Sequence, residues 1–317
     1  MSGVGLVLGA GGVVGQAYQA GVLSALECEV GFDPRNAEVI VGTSAGSVTA
    51  TLLRLGIPAS DLAAQALGTP LTDRGKALLD QLLPAAPGFP PIRPGSLLRP
   101  WRPPSPALVA RAARRPWAFR PQVAAMTLLP AGEVDLTERA RALDSLVGDA
   151  WPNGLWICAV RRSDGARVVF GRPGSPRAPL AAAVIASCAI PGYFSPVAIG
   201  GVEYFDGGVH SSTNANVLAP RRLATVVVVS PMSSASQYAG SADGPLRWSL
   251  HRRLEREAAR LEANGTRVIR IEPGPAVRTA MGLRAMAEDR SDRVVQAAYD
   301  EVLAAPPRLS VLEDLAG

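Results

Sequence analysis

Short apolar runs recur along the chain, each followed by a turn and a segment with helical spacing. Residues 4–8 form the first run, and the segment after its turn keeps this spacing to about Leu26. Residues 39–41 form the second run, and the segment that follows it stops at Gly56 and Pro58. Apolar runs of this length are typical of buried strands, and glycine or proline after a helical segment marks its end. The pattern therefore predicts strand, turn and helix twice near the N-terminus.

The rest of the chain continues to alternate between apolar runs and helical spacing. The tripeptide Ser163-Asp164-Gly165 separates two runs closely enough to predict a hairpin. Alternating strands and helices favour an α/β fold in which helices cover both faces of a mainly parallel sheet. The predicted strands are 155–160, 168–170, 225–230 and 268–271, and the predicted helices are 247–263 and 285–303.

Residues 84–122 interrupt this alternation because they are dense in proline and arginine. We interpret this stretch, called the insertion below, as a lid over the sheet and not as a linker between domains. A chain of 317 residues with 48% hydrophobic content can bury one large core. The sequence therefore predicts a single domain over residues 1–317 that carries the insertion.

The segment after the second apolar run, Gly42-Thr43-Ser44-Ala45-Gly46, has the form Gly-x-Ser-x-Gly. In a nucleophile elbow of this form, the serine occupies a strained turn between a strand and a helix, and its hydroxyl group projects above the sheet. The glycines on either side keep Cβ atoms out of the turn. The motif predicts that Ser44 is the nucleophile of an acyl hydrolase and that Gly42 and Gly46 permit the elbow.

The glycine-rich loop at residues 9–15 has three interpretations. A dinucleotide-binding loop requires Gly-x-Gly-x-x-Gly, but Val14 stands where the third glycine would follow Gly9 and Gly11. Alternatively, successive backbone N–H groups at the start of a helix form an oxyanion hole. The third interpretation is a tight turn that needs glycine for its positive φ. The missing third glycine argues against the dinucleotide-binding loop.

Two further motifs lie in the second half of the chain. Residues 186–192 read Ala-Ser-Cys-Ala-Ile-Pro-Gly, and residues 206–208 read Asp-Gly-Gly. With the glycine loop and the elbow, they follow the order and the approximate spacing of four motifs in one family of acyl hydrolases. Over residues 4–229 the chain resembles the patatin-like phospholipase family. Each motif alone is weak, whereas the four together are specific.

The resemblance implies a patatin-like three-layer α/β/α sandwich with a mainly parallel central sheet. It also implies a serine hydrolase that cleaves carboxylic esters of lipids through an acyl-enzyme intermediate, without a cofactor or a metal. The nucleophile falls on Ser44, the general base on Asp206 and a structural role near the site on Asn214. The remaining site residues implied are Gly11, Gly12 and Val13 for the oxyanion hole and Gly42, Gly46, Gly207 and Gly208 as elbow and motif glycines.

The glycine loop departs from the family pattern at two positions. Ala10 replaces the first glycine of the strict pattern, and Val14 replaces the arginine or lysine that usually precedes the last glycine. Both changes leave the backbone amides in place. Without the side-chain cation, neutral esters become an alternative to phospholipids, and a short-chain esterase or thioesterase with the same dyad becomes an alternative function. The alternative outside the enzymes is a catalytically idle scaffold.

Sequence order argues against an ordinary Ser-His-Asp triad. Only 43 residues precede Ser44, too few for the strand and helix units that an α/β-hydrolase places before its elbow. The chain has two histidines. His251 follows Asp206 in the order of such a triad, but its charged neighbours predict a solvated helix, and His210 lies in the loop just after Asp206. We expect both histidines to be dispensable.

Composition narrows the setting in which the protein works. The formal charge of +5 comes almost entirely from arginine, and we infer no nucleic-acid partner from it. The three cysteines, Cys28, Cys158 and Cys188, have no metal-ligand spacing, so we predict reduced core residues. The first 15 residues lack the features of a signal peptide, which predicts a cytoplasmic location.

The insertion and the residues next to it carry basic but no acidic side chains. Residues 81–132 contain no Asp or Glu but seven arginines, interleaved with Trp101, Trp117 and other apolar residues. Basic and aromatic residues in this combination favour the surface of an anionic membrane. The sequence predicts a peripheral membrane contact through residues 93–120, with a solvated lid as the alternative.

Overall fold

The centre of the molecule is one mixed sheet. In the described residues, eight strands form this sheet, seven of them in the pairing order β5-β6-β3-β2-β1-β7-β8. β6 and β2 share one edge of β3, and β4 pairs with its other edge. The strands are β1 (Val4–Leu8), β2 (Val39–Thr43), β3 (Leu155–Arg161), β4 (Ala166–Phe170), β5 (Val197–Ile199), β6 (Val202–Asp206), β7 (Thr225–Val229) and β8 (Arg267–Ile271). The structure is a computed structural model that describes residues 3–82, 100–118, 120–136, 140, 141, 143, 144, 147, 150–235 and 242–304.

Helices cover the sheet on both faces. In β1, Leu6 and Leu8 face one core while Val7 faces the other, because side chains alternate along a strand. All of these side chains are fully buried. The helices with described bounds are α1 (Gly12–Glu29), α2 (Ala45–Arg54), α3 (Ala59–Leu67), α4 (Asp73–Leu82), α5 (Pro106–Arg114), α6 (Pro121–Leu128), α7 (Leu180–Cys188), α8 (Gly244–Glu262), α9 (Pro275–Met281) and α10 (Ser291–Leu303).

The strands predicted from the apolar runs are confirmed. β1, β2, β3, β7 and β8 are parallel neighbours, β3 and β4 form the predicted antiparallel hairpin, and β7 is an interior strand. Because β4, β5 and β6 run antiparallel to their neighbours, the sheet is mixed and mostly parallel. The fold is therefore an α/β fold with helices on both faces.

One predicted helix begins later than its spacing indicated. The apolar spacing predicts a helix from residue 285, but residues 288–290 form a 3-10 turn and α10 begins at Ser291. The carbonyl group of Ala285 instead accepts a hydrogen bond of 3.1 Å from the amide of Val14. Tertiary contact with the glycine loop thus replaces the first helical turn.

The described part of the insertion contacts the β3–β4 hairpin and the segment around β6. Residues 83–99 lie outside the described residues. Arg102 forms an ion pair of 3.2 Å with Glu203, and Arg111 lies 3.6 Å from Asp164 in the hairpin turn. These pairs hold α5 and the segment before it against the domain. No helix within the described ranges is both long and apolar enough to cross a membrane.

Candidate active site

The Gly-x-Ser-x-Gly motif forms a sharp turn between β2 and α2. Ser44 has φ 54° and ψ −123°, a conformation that L-residues rarely adopt. A Cβ atom at Gly42 would lie 2.5 Å from the Cα atom of Ser47, and one at Gly46 would overlap the carbonyl group of Leu8. The two glycines are therefore required by close backbone contacts on either side of Ser44.

Strand pairing explains why Ser44 and Asp206 meet. Cys158 of β3 pairs with Thr43 of β2 on one edge and with β4 on the other. The next residue, Ala159, pairs with Asp206 of β6 on one edge and again with β4 on the other. β2 and β6 therefore lie end to end along the same edge of β3. Because they point toward each other, the residue after β2 reaches the last residue of β6.

The two side chains form a short, buried hydrogen bond. Ser44 Oγ donates to Asp206 Oδ2 at 2.8 Å, and the Gly208 amide donates to Asp206 Oδ1 at 2.6 Å. Ser44 is 6% exposed and Asp206 is 5% exposed. Each carboxylate oxygen therefore has one donor, which fixes the orientation of the carboxyl group toward the serine.

Burial makes Asp206 a stronger base than an ordinary carboxylate. Desolvation raises its pKa to about 6, although the hydrogen bonds from Gly208 and Ser44 act in the opposite direction. At neutral pH the group is still mostly ionised, because its pKa lies below 7. The site thus holds a charged carboxylate of raised basicity within hydrogen-bonding distance of a serine hydroxyl group.

Ser187 holds the elbow from the side, a contact that sequence analysis did not predict. The Ser44 amide donates to Ser187 Oγ at 2.9 Å, and Ser187 Oγ donates to the carbonyl group of Cys158 at 2.7 Å. Ser187 belongs to the Ala-Ser-x-Ala-Ile-Pro-Gly motif and is fully buried. This bridge between β3, α7 and the elbow gives the serine of that motif a physical role. The motif was the signal available in the sequence.

The glycine loop approaches both the elbow and the Asp206 turn. A Cβ atom at Gly46 would lie 2.9 Å from the carbonyl oxygen of Gly9, and one at Gly208 would lie 3.3 Å from Ala10 Cβ. Gln19, which sequence analysis also missed, ties the loop to α2. Its Nε2 donates to Gly9 at 2.6 Å, and its Oε1 accepts from Thr49 at 2.7 Å. The sequence signal was a glutamine within a largely apolar helical segment.

The amides at the start of α1 divide into two groups. Those of Gly9, Ala10, Val14 and Gly15 donate to backbone carbonyl groups. Gly11, Gly12 and Val13 donate to no backbone carbonyl of the described residues outside regular helices and strands, and the first amides of a helix have no acceptor within it. Three consecutive N–H groups at a helix N-terminus thus remain available, and the helix dipole adds a favourable field for an anion.

Asn214 connects the loop after Asp206 to the strand before Ser44. It has positive φ, 54°, and its Nδ2 donates to Thr43 Oγ1 at 3.2 Å and to the carbonyl group of Gly207 at 3.3 Å. The structural role implied for Asn214 fits these contacts. His210 Nδ1 lies 3.2 Å from Asn214 Oδ1. Burial, together with neighbouring arginines, lowers the pKa of His210 to about 2, so this histidine is neutral at physiological pH.

Two sequence-based predictions need correction. His251 does not lie on a solvated face, because its side chain is only 12% exposed and its Nδ1 lies 3.0 Å from Glu272. The helix carries it against the end of β8, where Glu272 follows. Cys28 is exposed near the end of α1, so a core position is wrong for this cysteine, whereas Cys158 is buried and Cys188 is partly buried.

Comparison with known proteins identifies the family. A model of the patatin-like phospholipases matches residues 6–219. Among solved structures, the crystal structure of VipD from Legionella pneumophila is similar, with 16% identity, a TM-score of 0.43 and coverage of 99% of this chain and 67% of the VipD chain. A search of curated proteins finds no match. Because the family model spans more than half of the chain, including the elbow and the Asp206 turn, the protein belongs to the patatin-like phospholipase family of lipid acyl hydrolases and has the patatin fold.

Proposed function

We propose that the protein is a serine hydrolase that cleaves carboxylic esters of lipids through a dyad of Ser44 and Asp206. The observation that carries this proposal is the 2.8 Å hydrogen bond from Ser44 Oγ to a buried carboxylate at a strained elbow. A nucleophile needs a base within hydrogen-bonding distance, and the raised pKa of Asp206 brings its basicity closer to working pH. The sequence motifs and the family membership support the same assignment.

The proposed reaction has two steps. Asp206 accepts the proton of Ser44 while Ser44 Oγ attacks the ester carbonyl carbon, and the alcohol leaves after it takes up this proton. Water then attacks the acyl-enzyme with Asp206 as its base, which releases the fatty acid and regenerates the serine. Both steps need only protons that this dyad can hold, so neither a metal nor a cofactor takes part in the proposed chemistry.

The tetrahedral intermediates need donors for their oxyanion. In this proposal the amides of Gly11, Gly12 and Val13 supply them, because these N–H groups lack backbone acceptors in the described residues and lie in the loop that packs on the elbow. Loss of one such donor costs about 2.7–4 kcal/mol in the barrier. Gly12 also has φ 64°, and a Cβ atom there would lie 2.5 Å from the carbonyl oxygen of Ala285. A side chain at this position would displace the loop.

Covalent labelling with a fluorophosphonate tests the nucleophile directly. We expect wild-type protein to be labelled at Ser44, and Ser44→Ala to lose both labelling and ester hydrolysis. Ser249→Ala is the matched control, because Ser249 is another serine that lies at the exposed surface of α8. Equal labelling of Ser44→Ala and Ser249→Ala would contradict the dyad, and no labelling of the wild type would favour the idle scaffold.

The identity of Val14 favours a second candidate, a short-chain esterase or thioesterase with the same dyad. The family usually has a cation at this position, whereas Val14 is an apolar residue that is 4% exposed. A panel of esters graded by chain length, with and without a phosphate group, separates the two candidates. We expect Val14→Arg to raise turnover of anionic phospholipids relative to neutral esters. An unchanged ratio would show that the missing cation at this position does not affect the choice of substrate.

We also propose that the protein is cytoplasmic and contacts anionic membranes peripherally through the insertion. Within its described part, Trp117 is 82% exposed and Trp101 is 56% exposed, and Arg114 and Arg115 are exposed as well. Arg111, by contrast, lies beside Asp164. Exposed tryptophan, and arginine without an ion-pair partner among the described residues, suit the interface of an anionic bilayer, where each basic residue contributes about 1 kcal/mol.

Vesicle co-sedimentation tests this contact. We expect binding to anionic but not to zwitterionic vesicles, with weakening by salt and by the double change of Arg114 and Arg115 to Gln. Arg111→Gln serves as the comparison, since an arginine already paired with Asp164 has less charge to offer the membrane. Equal binding by all variants, or no binding to either vesicle type, would contradict the membrane contact and favour the solvated lid.

A further inference from the structure

Three arginines converge on the loop that follows Asp206. Arg120 Nη1 donates to the carbonyl group of His210 at 2.7 Å. Arg167 Nη1 donates to Asn214 Oδ1 at 3.2 Å and to Asn216 Oδ1 at 2.7 Å. Because His210 Nδ1 also lies 3.2 Å from Asn214 Oδ1, these two guanidinium groups are linked through two loop residues, His210 and Asn214.

Arg253 completes the cluster from α8. It lies one helical turn before Glu257, whose carboxylate accepts hydrogen bonds of 2.8 Å from Thr213 Oγ1 and from the Ala215 amide. Residues four apart share one helix face, so Arg253 faces the same loop region. Arg120, Arg167 and Arg253 are all partly buried and partly accessible to solvent.

The cluster is short of negative charge. Within the described residues, no carboxylate lies within 4.0 Å of a nitrogen atom of Arg120, Arg167 or Arg253. Glu257 is the acidic group whose charge acts on all three. Glu257 Oε2 already accepts two hydrogen bonds from the loop.

Clustering without partners is unfavourable for guanidinium groups. Desolvation and the charges of Arg253 and Arg167 lower the pKa of Arg120 to about 10. Desolvation also lowers the pKa of Arg167 and of Arg253. The charges of Arg172 and Arg260 lower the pKa of Arg167 further, and those of Arg256 and Arg167 lower the pKa of Arg253. An anion placed among them would remove this repulsion, and the planar guanidinium group binds oxyanions in a bidentate manner.

We propose that Arg120, Arg167 and Arg253 form a binding site for a phosphate-type oxyanion beside the Asp206 loop. The ligand is either free phosphate or the phosphate group of a larger molecule, since both present the same oxygen atoms to the guanidinium groups. The site is separate from the amides of the glycine loop. It supplies positive charge that Val14 does not.

Calorimetric titration with inorganic phosphate at low ionic strength tests the site in the full-length wild-type protein. We expect saturable binding that Arg253→Gln weakens at least about 10-fold. Arg253 is the variant of choice because its side chain makes no hydrogen bond and no ion pair within 4.0 Å among the described residues, so its replacement breaks no such bond. Arg120→Gln provides a second variant with the same expected loss.

Arg252→Gln is the matched control. It removes the same charge from the neighbouring position of α8, but Arg252 is exposed and forms an ion pair of 2.9 Å with Glu255. We expect it to change phosphate binding less than about 2-fold. No binding by the wild type, or equal binding by the wild type, Arg253→Gln and Arg120→Gln, would overturn the proposal.

Hydrolysis separates the two sources of phosphate. If the ligand is part of the substrate, Arg253→Gln lowers turnover of a phosphate-bearing ester relative to a matched neutral ester, while Arg252→Gln leaves the ratio unchanged. If the ligand is free phosphate, both variants keep the ratio although Arg253→Gln has lost phosphate binding. The titration does not depend on hydrolysis, so failure of the Ser44 and Asp206 dyad would be seen separately.

Discussion

Asp206→Asn separates the catalytic role of the carboxylate from its effect on stability. Burial raises the pKa of Asp206 from 3.8 to about 6, so the folded state holds the proton more tightly than the unfolded chain does. A difference of about 2 pH units corresponds to about 3 kcal/mol. The stabilisation by the protonated acid is fully present below pH 3.8 and is lost as pH rises to about 6. At neutral pH the ionised carboxylate therefore lowers the free energy of unfolding.

Asparagine keeps the shape of the side chain and can still accept the hydrogen bond from Gly208. Asparagine has no charge, so the cost of burying one is removed. Its hydrogen bonds are, however, weaker than those of a carboxylate. We expect Asp206→Asn to be more stable than the wild type by about 1–3 kcal/mol at pH 7.5 and to lose this advantage near pH 4. Urea unfolding at several pH values measures the difference, and a difference that does not change with pH would refute the assigned burial effect.

Turnover of a chromogenic ester measures the other role. For the wild type, kcat/KM should rise with pH and level off above about 6, because the base must be ionised in the free enzyme. Asp206→Asn should lose hydrolysis by several orders of magnitude while it remains folded. Wild-type-like turnover in this variant, or a wild-type profile without an inflection near pH 6, would contradict Asp206 as the base.

Three further predictions test the rest of the site. His210→Ala and His251→Ala should each retain turnover within about 10-fold, or 1.4 kcal/mol in the barrier, and a larger loss in either would revive a triad. Gly207→Ala should reduce fluorophosphonate labelling more than Gly208→Ala, because a Cβ atom at Gly207 would lie 2.7 Å from the Cys158 carbonyl carbon. Ser187→Ala should lower the free energy of unfolding by about 1–3 kcal/mol and slow labelling, since it leaves a buried amide without its acceptor. Unfolding and labelling like those of the wild type would contradict that role.

The sequence predicted β1, β2, β3 and β7 because these strands are buried, and therefore apolar, along almost their whole length. Residues 225–230 illustrate this, since β7 has neighbours on both edges and cores on both faces. The start of α10 could not be predicted in the same way. The apolar spacing from residue 285 is present, but the backbone of Ala285 is used by the glycine loop, which is distant in sequence.

Residues within sequence motifs can be predicted from the sequence, whereas residues that only support the site through tertiary contacts cannot. Ser44 and Asp206 were named as candidates because their motifs have a local form, with glycines at fixed positions. Gln19 has no such form, and its importance lies in joining Gly9 to Thr49 across two helices. Arg120, Arg167 and Arg253 are far apart in sequence: Arg120 precedes α6, Arg167 lies in β4 and Arg253 lies in α8. Their convergence depends on the tertiary fold alone.

The geometry of the dyad depends on how two strands divide one edge of β3. If β6 were shifted by two residues along β3, the side chain of Asp206 would keep its face of the sheet but move about 7 Å from its present position. A 2.8 Å hydrogen bond to Ser44 would then be lost, although every motif residue would be unchanged. The motifs therefore specify which groups react, whereas the pairing of Ala159 with Asp206 beside the pairing of Cys158 with Thr43 determines whether they can meet.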